Sequence, residues 1–178
     1  MATPLGHSLA GLIIYAGLRR SGWQTPSLAV AIVAANLPDF DFLPGMLVGM
    51  PSKYHHGVTH SLGASLIAAA VLATAWWLAR RNISVIRYAL FFGLCVFSHV
   101  FLDYFTLDYG ADAGIPVLWP FDNAHYISPV IVFGDVWREP PYDMSLILHD
   151  LRNMLIEVLV FLPPLAILLL WRREEKQT

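Results

Sequence analysis

The sequence predicts an all-α integral membrane protein, a helical bundle of about five helices closed by a long aromatic-rich outer loop. Three observations carry that expectation. The 178 residues are 57% hydrophobic and only 13% charged, whereas an ordinary soluble domain carries about 25% charged residues. Mean hydropathy is +0.57. The apolar residues also gather into separate runs rather than spreading evenly, and one of them, 62–79, contains no charge. The whole chain, 1–178, reads as one membrane-embedded domain.

A spanning helix needs about 20 mostly apolar residues. The runs at 62–79, 88–105 and 154–171 approach that length, and two shorter ones precede them at 5–18 and 28–37. The residues before the first run lack the basic stretch of a secretory leader, so the run reads as a retained helix. Pro163 and Pro164 predict a kink in the last helix. The lone Cys95 lies in an apolar run and reads as a small packed hydrophobe.

Loop charge predicts orientation. Arg19, Arg20, Arg80, Arg81, Arg87, Arg172, Arg173 and Lys176 fall on one side, against Lys53, Arg138 and Arg152 on the other. By the positive-inside rule the larger group is cytoplasmic, which puts the N-terminus outside and the C-terminus inside the cytoplasmic (inner) membrane. The outer loop, 106–150, holds Trp119-Pro120-Phe121, Tyr126, Phe133, Trp137 and Pro140-Pro141-Tyr142. Tyr and Trp favour the headgroup level, so this loop reads as lying over the outer interface, either as an anchor or as a lid. The net charge of −2 and the lack of a basic run give no reason to expect a nucleic-acid partner. Membrane lipids are the expected surroundings.

The histidines and aspartates recur at the outer end of successive runs. His99 and Asp103 are four apart and share a helix face. Alone, that pair is equally the mark of a buried His–Asp hydrogen bond. His55, His56 and His60 crowd into six residues, with Gly57 expected to bend the backbone and Ser61 or Thr59 to cap the following helix. Asp39 and Asp41 flank Phe40 after Pro38 and alternate, so an extended turn would point them the same way. His7 sits near the outer end of the first run. Several carboxylates at one depth are costly unless pairing or a cation offsets them, since one buried Asp costs about 2.5–3.5 kcal/mol on the lenient insertion scale. Imidazole with carboxylate and no thiolate suits zinc, with manganese or iron as substitutes. Glu157, one turn inside the last run, is either a functional carboxylate or a partner of Arg152 or of a backbone group.

In this order, His7, Pro38-Asp39-Phe-Asp41, His55-His56-Gly57-Val-Thr59-His60-Ser61, His99-Val-Phe-Leu-Asp103 and Trp119-Pro120 resemble the bacterial and archaeal membrane-bound metal-dependent hydrolases of the YdjM type. His56 stands where that pattern usually has arginine. The family is in turn similar to the zinc phospholipase C and P1 nuclease group, helical enzymes that hydrolyse phosphoesters with clustered zinc. The resemblance implies that Asp39, His60, His99 and Asp103 hold one ion, and that Asp103 bridges to a second held by His7, with His55. It implies Asp41 as a ligand-orienting residue or general base and His56 as a substitute for the substrate-binding arginine. The third zinc of that group needs an HxxxE pair; His149 and Glu157 do not form one, so one or two ions are expected. The function expected is phosphoester hydrolysis, on a lipid-borne substrate, by metal-activated hydroxide. The rivals are a metal or ion transporter and a non-catalytic membrane protein with a structural metal.

Overall fold

The computed structural model describes residues 1–81, 84–109, 113–137 and 143–174, without the side chains of 51–52 and 171–174. Arg138, Lys176, Pro140, Pro141 and Tyr142 lie outside the described residues.

Six α-helices and three 3-10 turns make up the described chain, with no strand beyond isolated bridges. They are α1 (Pro4–Arg20), α2 (Leu28–Ala35), α3 (Phe42–Leu47), α4 (Leu62–Arg80), α5 (Val85–Tyr104) and α6 (Met144–Glu174). The turns are Leu37–Asp41, Pro51–Tyr54 and Val58–His60. The local sequence starts each long helix. Thr3 caps α1 with Pro4 in its first turn, Ser61 caps α4 and Ser84 caps α5. Of the two cap candidates for α4, Ser61 is the one used.

Three helices, Leu62–Arg80, Val85–Tyr104 and Met144–Leu170, are long and apolar enough to cross a membrane. The second expected span breaks: α2 ends after 8 residues, and the following segment Leu37–Leu47 turns away by 55°. Counted as one bent span, this pair makes four. The first run is a helix of 17 residues. The expected loop 106–150 also needs correction at its far end, because α6 begins at Met144. Asp143 accepts from the backbone N–H groups of Ser145 and Leu146 and so nucleates the helix there. His149, Asp150, Arg152 and Asn153 lowered the hydropathy of these turns, yet the turns are helical. The helix runs on through Pro163 and Pro164.

Small residues set the packing. Ala31, Ala34 and Ala35 of α2 and Ala69 and Ala73 of α4 pack around Phe91, Phe92 and Cys95 of α5. A Cβ on Gly11 would come 3.0 Å from the Ala31 carbonyl oxygen, so α1 and α2 approach backbone to backbone. Cys95 is fully buried in this cluster, as a small hydrophobe. The outward faces of α4 and α6 expose Leu66, Val71, Leu162 and Leu169.

The loop after α5 folds back over the helix ends. Ser128 donates its N–H to the Tyr104 carbonyl at 2.8 Å, and Val132 donates to Phe105 at 2.9 Å. Trp119, which precedes a cis proline, accepts from the Gly63 N–H at 3.1 Å. A Cβ on Gly63 would lie 2.5 Å from that same Trp119 oxygen, so only glycine lets loop and α4 meet.

Candidate metal centre

The alternating run of the helices brings the start of α1, the end of α2, the start of α4 and the end of α5 to one end of the bundle. There His7, His60, His99 and Asp103 are buried, with Asp39 beside them. His7 stacks on His99, ring centroids 3.6 Å apart and planes 15° from parallel.

Two orienting bonds decide which ring nitrogens face the centre. His99 Nδ1–H donates to the Ala35 carbonyl at 2.8 Å. That carbonyl ends α2 and has no partner within its own helix. His60 Nδ1–H donates to Thr59 Oγ1 at 3.1 Å and lies 3.2 Å from Asp41 Oδ2. Both rings therefore turn Nε2 inward, with the lone pair on that atom in the neutral ring.

Four inward atoms then converge. His60 Nε2 and His99 Nε2 are 3.1 Å apart. Asp39 Oδ1 lies 3.6 Å from His60 Nε2 and 3.4 Å from His99 Nε2. Asp103 Oδ2 lies 3.4 Å and 3.2 Å from the same two atoms. These are two triangles sharing the His60–His99 edge. For zinc bonds of about 2.0–2.1 Å, ligand atoms around a tetrahedral ion stand roughly 3.3 Å apart, and the triangle edges cluster at that value. Asp39 Oδ1 and Oδ2, Asp103 Oδ2 and both nitrogens of His7 are buried without a hydrogen-bond partner. Unsatisfied buried carboxylate oxygens are costly, and a cation would satisfy several at once. His7 Nε2 stands 3.5 Å from Asp103 Oδ1, and His7, His99 and Asp103 form a further group of suitable ligands. The donor set therefore fits a divalent ion.

Asp41 lies behind this centre. Its Oδ1 accepts from His55 Nδ1 at 2.8 Å, and its Oδ2 accepts from Thr59 Oγ1 at 2.7 Å. With His60 also on Oδ2, the geometry suits holding imidazoles in place more than taking a proton. His55 Nε2 contacts Met1 Sδ, and Phe42 stacks on its ring at 3.9 Å. His55, His56 and His60 make a second group with ligand atoms in mutual reach.

His56 departs from expectation in its backbone. It has φ +60°, while Gly57 is ordinary at φ −74°. The sharp bend is thus at the histidine, in the left-handed region that costs a non-glycine residue energy and clusters at functional sites. Its Nδ1 is 3.0 Å from Asp108 Oδ2, which also accepts from the Gly114 N–H at 2.9 Å. Burial pushes the Asp108 carboxyl up, but the His56 and Gly114 hydrogen bonds outweigh it and hold the pKa at about 2. Burial lowers the His56 pKa, and the Asp108 hydrogen bond only partly opposes it. His56 Nε2 is buried without a hydrogen-bond partner.

The sequence singled out His7, Asp39, His60, His99 and Asp103, and the fold gathers them, with Asp41, His55 and His56 alongside. His149 lies elsewhere: its Nε2 is 3.1 Å from Asp135 Oδ1, and its ring stacks on Trp137. Glu157 binds Thr3 rather than Arg152. Asp108, the Ala35 carbonyl and the bond from Thr59 to Asp41 escaped sequence reading. Asp108 carried a weak signal, an acid five residues beyond Asp103 on an aromatic stretch.

The profile of the YdjM inner membrane protein family matches residues 1–175. The chain belongs to the YdjM inner membrane protein family. Membership and the three apolar helices together support a membrane location for this YdjM family protein. No curated protein and no solved structure matches the chain.

Proposed function

We propose that this YdjM family protein is a metal-dependent phosphoester hydrolase whose site faces the outer side of the membrane. One observation carries the reading: two triangles of His and Asp ligand atoms share the His60–His99 edge in a buried, otherwise unsatisfied cluster. Imidazole and carboxylate donors favour zinc. A divalent ion bound there supplies Lewis acidity and a water of pKa near 7. His60, His99, Asp39 and Asp103 would hold it, with His7 available to a second ion beside Asp103.

The chain's own groups divide the remaining work. Asp41 fixes the rings of His60 and His55. Asp108 fixes Nδ1 of His56 and leaves Nε2 as the atom that exchanges a proton with, or contacts, an anionic substrate. Loop charge supports the outer placement. Beside Asp39 and Asp41, the exposed Leu43, Met46, Val48 and the 88%-exposed Leu47 favour a substrate held in lipid.

The complete burial of His7, His60 and His99 favours a second reading, a closed structural ion without turnover. Transport has less support, because the described core between α2, α4 and α5 away from the cluster is Ala, Phe, Tyr and Cys, with no charged side chain in it.

Metal analysis of detergent-purified protein, with phosphodiester, phosphomonoester and phospholipid substrates tested with and without chelator, separates these readings. Hydrolysis requires about one ion per chain or more and chelator-sensitive turnover. Less than about half an ion per chain, unchanged in His99→Ala and Asp103→Ala, overturns the metal centre. A full ion complement without turnover on any substrate supports the structural role.

A further inference from the structure

We infer that Glu157 is a positioning residue for Asp103, acting through the backbone of Thr3 and Ala2; the inference rests on the metal-centre reading above. Glu157 is 1% exposed on an apolar helix. Both of its carboxylate oxygens serve Thr3. The Thr3 N–H donates to Oε1 at 2.5 Å, and Thr3 Oγ1 donates to Oε2. Gly6 makes room for this seat, since a Cβ there would come 2.8 Å from Glu157 Cδ.

Thr3, so held, does two things. Its Oγ1 accepts from the N–H groups of Leu5 and Gly6 and starts α1, the helix that carries His7. The preceding residue is also fixed, and the Ala2 N–H donates to Asp103 Oδ1 at 2.8 Å. Asp103 is thereby polarised. Oδ1 is engaged by the backbone, while Oδ2 is left without a hydrogen bond, facing His60 and His99. A carboxylate pinned at one oxygen presents the other at a fixed angle. One free to rotate would offer either oxygen, or both. An apolar side chain would fill the place of Glu157 without the desolvation cost of a buried acid. Its presence is explained by what Thr3 and Ala2 must do.

The test uses full-length protein in detergent, with any affinity tag at the C-terminus and Co2+ as the probe. Wild-type protein should bind Co2+ with visible d–d absorption. Glu157→Gln and Thr3→Val should remain folded by size exclusion, bind Co2+ about 10–100-fold more weakly, and show shifted bands. Thr3→Ser keeps the hydroxyl and should restore both affinity and spectrum. If Glu157→Gln fails to fold, the Thr3→Val and Thr3→Ser pair decides. Wild-type affinity and an unaltered spectrum in the folded variants overturn the positioning role. Absence of Co2+ uptake by the wild type removes the metal centre itself, and with it this inference, before any variant is compared.

Discussion

His60 and His99 turn their Nε2 atoms toward each other at 3.1 Å while each commits Nδ1 to an acceptor behind it, the Thr59 hydroxyl beside Asp41 for one and the Ala35 carbonyl for the other. Two neutral rings so arranged present lone pair to lone pair. A shared proton or a shared cation resolves the repulsion. Replacing one ring shows which.

His99→Ala removes the edge common to both ligand triangles. Metal content, measured by mass spectrometry of the purified protein, should fall to background. Thermal stability should fall with it, by about 2–5 kcal/mol for a buried ring lost together with its bond to Ala35. Retention of a full ion complement would count against the proposed ligand set.

Asp108→Asn keeps the shape of the side chain and removes the charge that fixes His56. Ion content should stay at the wild-type level, because Asp108 touches none of the four converging atoms. Turnover of a phosphodiester should drop by about 10–100-fold. Equal turnover in the two proteins would leave His56 without the proposed part in the reaction.

Gly63 and Gly17 form a matched pair. A Cβ at Gly63 meets the Trp119 carbonyl oxygen at 2.5 Å, whereas a Cβ at Gly17 meets nothing within 4 Å. Gly63→Ala should destabilise by about 1–3 kcal/mol through overpacking. Gly17→Ala, inside α1, should stabilise by about 0.5–1 kcal/mol. Melting curves in a single detergent give both values, and equal melting temperatures would show that the loop does not press on α4.

Orientation is open to thiol labelling. In a Cys95→Ser background, Phe121→Cys places a thiol on the loop at the cluster end, where Phe121 is 95% exposed. Ser21→Cys places one just past the other end of α1. A membrane-impermeant reagent added to intact cells should label position 121 and spare position 21. The reverse pattern would put the cluster on the cytoplasmic side.

The sequence exposed the centre because ionisable side chains are conspicuous against an apolar background. His99 and Asp103 share a helix face by spacing alone, and Asp39 and His60 stand at helix boundaries marked by Pro38 and Ser61. What supports these residues left fainter traces or none. The Ala35 carbonyl and the Ala2 N–H belong to the backbone, so no residue type announces them. Asp108 reaches His56 across 52 residues of sequence, a tertiary pairing without a periodicity. The first turns of α6 were hidden because His149, Asp150 and Asn153 lower local hydropathy while remaining helical. His149 and Asn153 bind Asp135, and Asp150 accepts from the Trp137 N–H. The bend falls on His56 rather than Gly57, at the residue whose ring contacts Asp108.

The brevity of α2 has a chemical consequence. A helix continuing past Ala35 would draw that residue's carbonyl into its own hydrogen-bond ladder. Here the chain turns at Asn36, and Pro38 brings no N–H to the turn. The carbonyl stays open, and His99 fills it from a different helix. The interruption that shortens the second span thus selects the tautomer of a histidine in α5. A substitution that straightened the segment would disarm His99 without touching it.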